Sequence, residues 1–209
     1  MRLRCSSLDS IMGNTRGVQP YGLSMTAQKV IKDMVNSELY NTPITISGKY
    51  LDKGIECEDD SIELFNNVFF KSLVKNDERI TNNYITGECD LIDSDTIIDI
   101  KTSWSLGTFA EQRSKTTSYE WQLRGYMWLY DKSKACTAHC LVDTPDHLCQ
   151  YENETHKFGH IDAVDRVIIG NVIERDQALE QLIIEKYEAC LSYRNDLIGQ
   201  FKKNGRKLP

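Results

Sequence analysis

One segment limits the folds open to this chain more than any other: Tyr84 to Trp104, YITGECDLIDSDTIIDIKTSW. Two strand-like runs flank a polar break at Asp93-Ser94-Asp95-Thr96, the pattern of a β-hairpin. With Ser94 and Asp95 as a two-residue loop, Asp90 falls opposite Asp99, and Glu88 opposite Lys101. Opposed residues share a face, with Cβ atoms about 4.5–5.5 Å apart. Period two puts Asp99 and Lys101 on that same face. The other face carries Cys89, Leu91, Ile98 and Ile100 and is apolar enough to bury. A slip of one residue would undo the grouping.

Facing carboxylates repel each other unless something compensates. A hard divalent cation does so, since Mg²⁺ takes oxygen ligands from one or two carboxylates plus water and phosphate. A lysine two residues on can then hold or deprotonate an attacking water. The plainer reading of the same spacing is a solvated hairpin edge with ordinary charges.

The rest of the chain bounds the setting of this hairpin. At 209 residues, with 40% hydrophobic and 27% charged residues, one α/β domain spanning 1–209 is the expected organisation. Disorder as the main state is excluded by the apolar content. No apolar run approaches the roughly 18 residues of a membrane span, and MRLRCSSLDSIMG lacks the apolar core of a signal peptide. A cytoplasmic location, with no membrane partner, is therefore expected. The net charge of −6 argues against a passive nucleic-acid coat, but not against an enzyme whose site is an acidic cluster around a cation. Seven cysteines, with no Cys-x-x-Cys among them, read as small buried thiols rather than metal ligands.

Periodicity places the elements coarsely. A short helix runs over Ser6 to Met12 and stops at Gly13; Ser24 opens a second, with Ala27, Ile31, Met34, Val35 and Leu39 on one face. Residues 50–69 read as helical, 70–103 as short strands, and Phe109 to Tyr130 as one long helix. Ala138 to Val142 reads as a strand, as does Arg166 to Ile173, here as one buried strand. Asp176 caps a final helix, and the basic tail FKKNGRKLP frays.

Gly87-Glu88-Cys89-Asp90, followed by Asp99-Ile100-Lys101-Thr102, resembles the core of the PD-(D/E)XK nuclease superfamily. The wording G-x-x-D-L-I and then I-I-D-I-K-T is like its RecB-type and phage exonuclease branches. Two flanking segments extend the likeness to the phage lambda exonuclease-like (YqaJ-type) group. Lys53 to Asp60, KGIECEDD, resembles that group's G-x-x-x-E helix, with Glu58 at the glutamate position. Tyr119 to Trp128, YEWQLRGYMW, resembles its Q-x-x-x-Y helix, with Gln122 and Tyr126 at the two named positions. Arg4-Cys5-Ser6-Ser7 is loosely similar to the N-terminal R…S segment, and Cys89 departs from the proline of the superfamily's name.

The residues of the flanks are compatible with this. Gly54 and Glu58 share a helix face, and Gly54 costs roughly 1 kcal/mol against Ala, so close approach by another segment would explain it. Gln122 lies inside an apolar stripe and needs partners if buried. Arg113, Lys115 and Arg124 are candidates for phosphate contacts, against the plainer reading of a solvated helix face.

The resemblance implies a restriction-endonuclease-like core: a central mixed β-sheet with helices on both sides. It implies a Mg²⁺-dependent deoxyribonuclease, with Mn²⁺ able to substitute. Asp90, Asp99, Glu58 and the Ile100 carbonyl would hold the metal, Lys101 would orient or activate water, and Gln122 and Tyr126 would face the site and nucleic acid. Arg2 and Arg4 are candidates for a 5′ phosphate. The group's members imply resection of double-stranded ends 5′ to 3′ in phage or prophage recombination. A single-strand annealing partner and a homo-oligomeric ring belong to the same expectation. The alternatives are an endonuclease of the same fold, a RecB-type exonuclease with an iron–sulfur cluster, and a non-catalytic binding or assembly module.

Overall fold

A computed structural model describes residues 1–43, 48–114, 119–149 and 153–204. Its strands are β1 (Leu3–Arg4), β2 (Ile80–Thr81), β3 (Ile85–Gly87), β4 (Leu91–Asp93), β5 (Thr96–Thr102), β6 (Lys134–Cys140), β7 (Val167–Ile169) and β8 (Ile173–Glu174). Its helices are α1 (Leu8–Met12), α2 (Met25–Tyr40), α3 (Lys49–Glu56), α4 (Glu58–Phe69), α5 (Leu106–Ala110), α6 (Glu120–Tyr130), α7 (Asp146–Cys149) and α8 (Gln177–Asn204).

The hairpin has the register expected of it: Leu91 pairs with Ile98, Ile92 with Ile97, and Asp93 with Thr96. β5 continues as the centre of a mixed sheet, antiparallel to β4 and parallel to β6, while β7 and β8 both pair antiparallel with β6. A separate small sheet, in the order β1-β3-β2, brings the N-terminus beside the hairpin.

Both faces of β5 are covered. Ile98, Ile100 and Leu91 pack with Ile62, Leu64 and Phe65 of α4. Ile97 belongs to the larger core with Leu123, Tyr126 and Met127 of α6 and residues of α1, α2 and α8. Cys89 lies in that larger core rather than with Leu91 and Ile98, because it precedes the paired part of β4. The fold is thus mixed α/β with helices on both sides of the sheet.

Three elements differ from the periodicity. The helical stretch 50–69 breaks at Cys57, whose backbone (φ −107°, ψ 16°) leaves the helical region and starts α4 afresh. The long helix read over Phe109 to Tyr130 is α5, a 3₁₀ turn at Glu111–Ser114, and then α6; residues 115–118 lie outside the described set. The strand read at Arg166 to Ile173 splits at Gly170 into β7 and β8, neither fully buried. Gly170 N donates to the Thr137 carbonyl at 2.9 Å, and a Cβ there would meet Thr137 Oγ1 at 2.4 Å. Asp176 does cap α8, accepting from Ala178 N at 2.9 Å, and α8 runs through Asn204 into the expected tail. Among the described residues no helix is long and apolar enough to cross a membrane, and all seven cysteines are buried and free.

Two glycines set how closely the N-terminus approaches the hairpin. A Cβ on Gly87 would sit 2.7 Å from Cys5 Sγ and 2.8 Å from Tyr126 Cε1. One on Gly125 would sit 2.7 Å from Leu8 Cδ1 and 2.8 Å from Cys5 Sγ. Gly125→Ala should therefore destabilise by about 1–3 kcal/mol through overpacking. Thermal unfolding of the variant measures this; an unchanged midpoint would mean that the N-terminal segment packs loosely.

Candidate active site

β5 aims Ile97, Asp99 and Lys101 at α6, and burial there leaves Asp99 only 1% exposed. An isolated buried carboxylate is very costly, so its partners decide what the site is. Lys101 Nζ lies 2.7 Å from Asp99 Oδ2 as an ion pair. Burial alone would lower the Lys101 pKa, but the Asp99 carboxylate outweighs it and holds the ammonium above the ordinary lysine value. Gln122 Nε2 donates to Asp99 Oδ1 at 3.2 Å and to the Tyr126 hydroxyl at 3.0 Å. Among the described residues, Lys101 is the one donor at Asp99 Oδ2.

Asp90 stands just before β4, opposite Asp99 in the extended register. Its Oδ2 accepts from Ile100 N at 2.6 Å. Burial first, and the Asp99 charge second, raise the Asp90 pKa far above the usual carboxylate range. Lys101 and the Ile100 N–H oppose that shift, and Glu58 adds to it. Glu58 begins α4 with its carboxylate on Lys75, at 2.6 Å. It shares the electrostatic field of the pair but stands off from it: among the described residues no three His, Cys, Asp or Glu side chains group as ready metal ligands. The same holds for the cysteines that an iron–sulfur centre would need.

The oxygen set nonetheless suits a hard cation. The half-buried Asp90 and the buried Asp99 repel each other, and the only donor at Asp99 Oδ2 among the described residues is the Lys101 ammonium. Mg²⁺ commonly takes only one or two carboxylates and completes its shell with water and phosphate.

The structure distributes the other candidate residues unevenly. Tyr126 is buried and its phenol is held protonated by burial. It lines a cleft of about 470 Å³ with Arg4, Ser6, Arg79, Thr86 and Glu88. Arg4 is exposed there, whereas Arg2 gives its Nε to the Asn82 carbonyl at 2.9 Å. Glu88 pairs with Arg79 at 3.2 Å instead of Lys101. Arg113 is exposed. Arg124 donates to Glu120 at 2.6 and 3.0 Å and to the Glu174 carbonyl at 3.3 Å, tying α6 to β8. Lys115 lies outside the described residues. Gly54 is not explained by close approach, since a Cβ there meets nothing within 4 Å.

On the other side of Lys101 a second cleft, of about 330 Å³, is walled by Tyr50, Trp104, Tyr119 and His139. Lys101 Nζ sits 4.7 Å from the Tyr119 ring centre.

Three further residues hold the site together. Asp9 of α1 accepts from Trp121 N at 3.1 Å and Gln122 N at 3.2 Å, capping α6 where Tyr119, in the left-handed region, has no capping side chain. Asn76 Nδ2 donates to the Cys89 carbonyl at 2.9 Å, and Asn76 N to the Asp90 carbonyl at 2.8 Å. Lys75, beside it, neutralises Glu58. These contacts join segments far apart in the chain, so no local pattern announces them. Asp9→Ala should cost about 0.5–2 kcal/mol, as for other lost helix caps. It should also lower activity through Gln122; a melting curve and a cleavage assay check both, and no loss in either would exclude the cap.

Comparison with solved structures gives the site its context. A phage-related exonuclease from Haemophilus somnus 129PT is 30% identical to this chain over 96% of each, with a TM-score of 0.85. An alkaline exonuclease from Laribacter hongkongensis shares the fold at 16% identity, covering 100% of this chain and 95% of its own, with a TM-score of 0.68. The same fold is seen for that exonuclease in complex with dAMP, at 17% identity and a TM-score of 0.68. No family model and no curated protein matches the chain.

Proposed function

The chain belongs to the phage lambda exonuclease-like family of PD-(D/E)XK nucleases, and from that premise we propose that it hydrolyses DNA phosphodiester bonds from duplex ends, 5′ to 3′, with a divalent cation. The observation that carries this reading is Asp99: buried, held by Gln122 on one oxygen and by the Lys101 ammonium on the other, and facing Asp90. Asp90 and Asp99, with the Ile100 carbonyl and Glu58, are the residues that would hold Mg²⁺, or Mn²⁺ in its place. The cation would supply Lewis-acid stabilisation of charge developing on phosphate and acidify a bound water.

The protein's own groups do the rest. Lys101, kept charged by Asp99, is a donor that orients the attacking water. Gln122 keeps Asp99 in one rotamer and orientation. Arg4 and Arg79 face the cleft beside Tyr126 and suit a terminal 5′ phosphate, for which two guanidinium groups are natural donors. The ring-walled cleft beyond Lys101 suits unpaired bases, which stack on aromatic faces. The resected strand would pass to a single-strand annealing protein in phage recombination.

A net charge of −6 gives little long-range pull on DNA. Binding then rests on a few placed cations, and enclosure by a homo-oligomeric ring would keep the enzyme on its substrate. With Ca²⁺ and an inactive Asp99→Ala protein, ends should bind better than closed circles. The salt slope should be shallow, at about −0.9 per phosphate contact. Equal affinity for both, with a steep slope, would favour a binding module.

The direct test incubates the protein with linear and covalently closed duplex DNA, in Mg²⁺ and in EDTA. Loss of the linear form alone, only with metal, and release of nucleotides from the 5′ end are expected. Nicking of circles would select an endonuclease, and full hydrolysis in EDTA would exclude the metal mechanism.

A further inference from the structure

Helix α3 is built inside out. Its apolar side chains face solvent, with Tyr50 64% and Ile55 65% exposed, while its one buried side chain is Lys53, at 0%. A fully buried lysine without a carboxylate is rare, since desolvating an ammonium is expensive unless other groups replace its water. The replacement here is three backbone carbonyls. Lys53 Nζ donates to Ser103 O at 2.7 Å, Val142 O at 2.8 Å and Trp104 O at 3.2 Å, spending each of its three N–H bonds. The Phe158 and Trp104 rings lie 5.5 and 5.9 Å away and close the pocket.

The location of those carbonyls gives the contact its meaning. β5 and β6 run parallel and stay paired as far as Thr102 and Cys140; Ser103 N adds one more bond, to Cys140 O at 2.8 Å. Beyond that point the strands part, and their carbonyls lose ladder partners. The ammonium takes up three of them at the fork, bridging the exit of β5 to the exit of β6 and both to α3. Ser103 is two residues past Lys101. Tyr50, on the same helix as Lys53, walls the cleft that Lys101 lines.

We propose that Lys53 is a positioning residue for the nuclease reaction: its ammonium pins the diverging ends of β5 and β6 to α3, and so fixes Lys101 and the aromatic wall relative to each other. It touches neither the carboxylates nor Lys101. The proposal rests on the nuclease reading above. Burial pushes the Lys53 pKa down to about 8, with Cys57, Cys149 and Asp143 the ionisable groups that face it and raise it in turn. At neutral pH it keeps the third N–H bond; above pH 8 it progressively loses it.

The test uses Lys53→Met, which keeps the buried stem and removes the donors, and Lys53→Arg, which keeps donors and charge. Lys53→Met should lower kcat on linear duplex at least tenfold, with KM within about threefold and Ca²⁺ affinity unchanged. Amide exchange at Ser103 should quicken at least tenfold, with the Ile97–Ile100 amides unaffected. Lys53→Arg should recover much of kcat. A Lys53→Met protein with kcat within twofold of wild type, whatever its melting temperature, would overturn the proposal. If that variant does not fold, the pH profiles decide: wild-type kcat should fall above pH 8 and that of Lys53→Arg should not. The same falling limb in both would also overturn it. If the wild-type protein leaves linear DNA intact, the nuclease reading fails, and the exchange measurement still reports whether Lys53 holds the fork.

Discussion

Asp90→Asn and Asp99→Asn should each abolish cleavage of linear duplex, by roughly a thousandfold or more, the loss of about 4 kcal/mol of transition-state stabilisation. The two should differ in what they do to the fold. At position 90 the amide oxygen can still accept from Ile100 N, so the local structure survives and a repelling charge disappears. At position 99 the variant keeps an acceptor for Gln122 but leaves the Lys101 ammonium without its counter-charge. Breaking a fully buried pair costs about 3–5 kcal/mol, and the figure here is smaller because the Lys101 side chain is 24% exposed. Asp99→Asn should therefore melt below wild type, and adding Lys101→Met should bring stability back without bringing activity back. Single-turnover cleavage of an end-labelled duplex in Mg²⁺, beside thermal melting, separates these effects. A single variant that keeps more than about a tenth of the wild-type rate would show that its carboxylate is not a ligand.

The hairpin was legible because its information is local. A two-residue loop and period two put Asp90, Asp99 and Lys101 together from spacing alone, and the observed pairing has that register. The faces are less legible. Spacing shows that Asp99 and Leu91 point to opposite faces of the hairpin, but not that both faces are covered, so a buried Asp99 cannot be told from a wet one. Gln122 could be read as a buried amide in an apolar stripe, and its partner turned out to be Asp99 itself. Glu58 does not share a helix with Gly54, because the break at Cys57 falls between them, and its ion pair with Lys75 spans a loop that carries no period. The break before α6 was invisible for the same reason. Its cap, Asp9, sits more than a hundred residues away on α1. Gly170 interrupts an apolar run that reads as one strand, because the contact that requires a glycine comes from Thr137 on the neighbouring strand. Local chemistry thus places the facing carboxylates, and the long-range contacts that fix them stay hidden.

The charge conflict at Asp90 should be visible as a stability that falls with rising pH in the absence of metal. In the unfolded chain this carboxyl titrates near 3.9. In the fold, burial and the neighbouring Asp99 keep its proton to a far higher pH. Between those two values the folded state binds more protons than the unfolded state, so stability declines as pH increases. Asp9, raised by burial, acts in the same direction; Lys101, raised above an already high value, stays charged throughout the window and adds no slope there. In EDTA, the melting temperature should therefore be higher near pH 5 than near pH 7.5. Asp90→Asn removes the larger share of that slope and should melt above wild type at pH 7.5, at about 2–4 °C for each kcal/mol of relieved repulsion. A divalent cation should do to the wild-type protein what the substitution does, because it offsets the same charges, and should do it more at pH 7.5 than at pH 5, where the proton competes. It should do little to Asp90→Asn. Melting curves with and without Ca²⁺ at the two pH values, for both proteins, give the four comparisons needed. If Ca²⁺ stabilises the variant as much as the wild type, the cation binds elsewhere. If neither pH nor the substitution moves the metal-free midpoint, the two carboxylates do not repel one another in the folded protein.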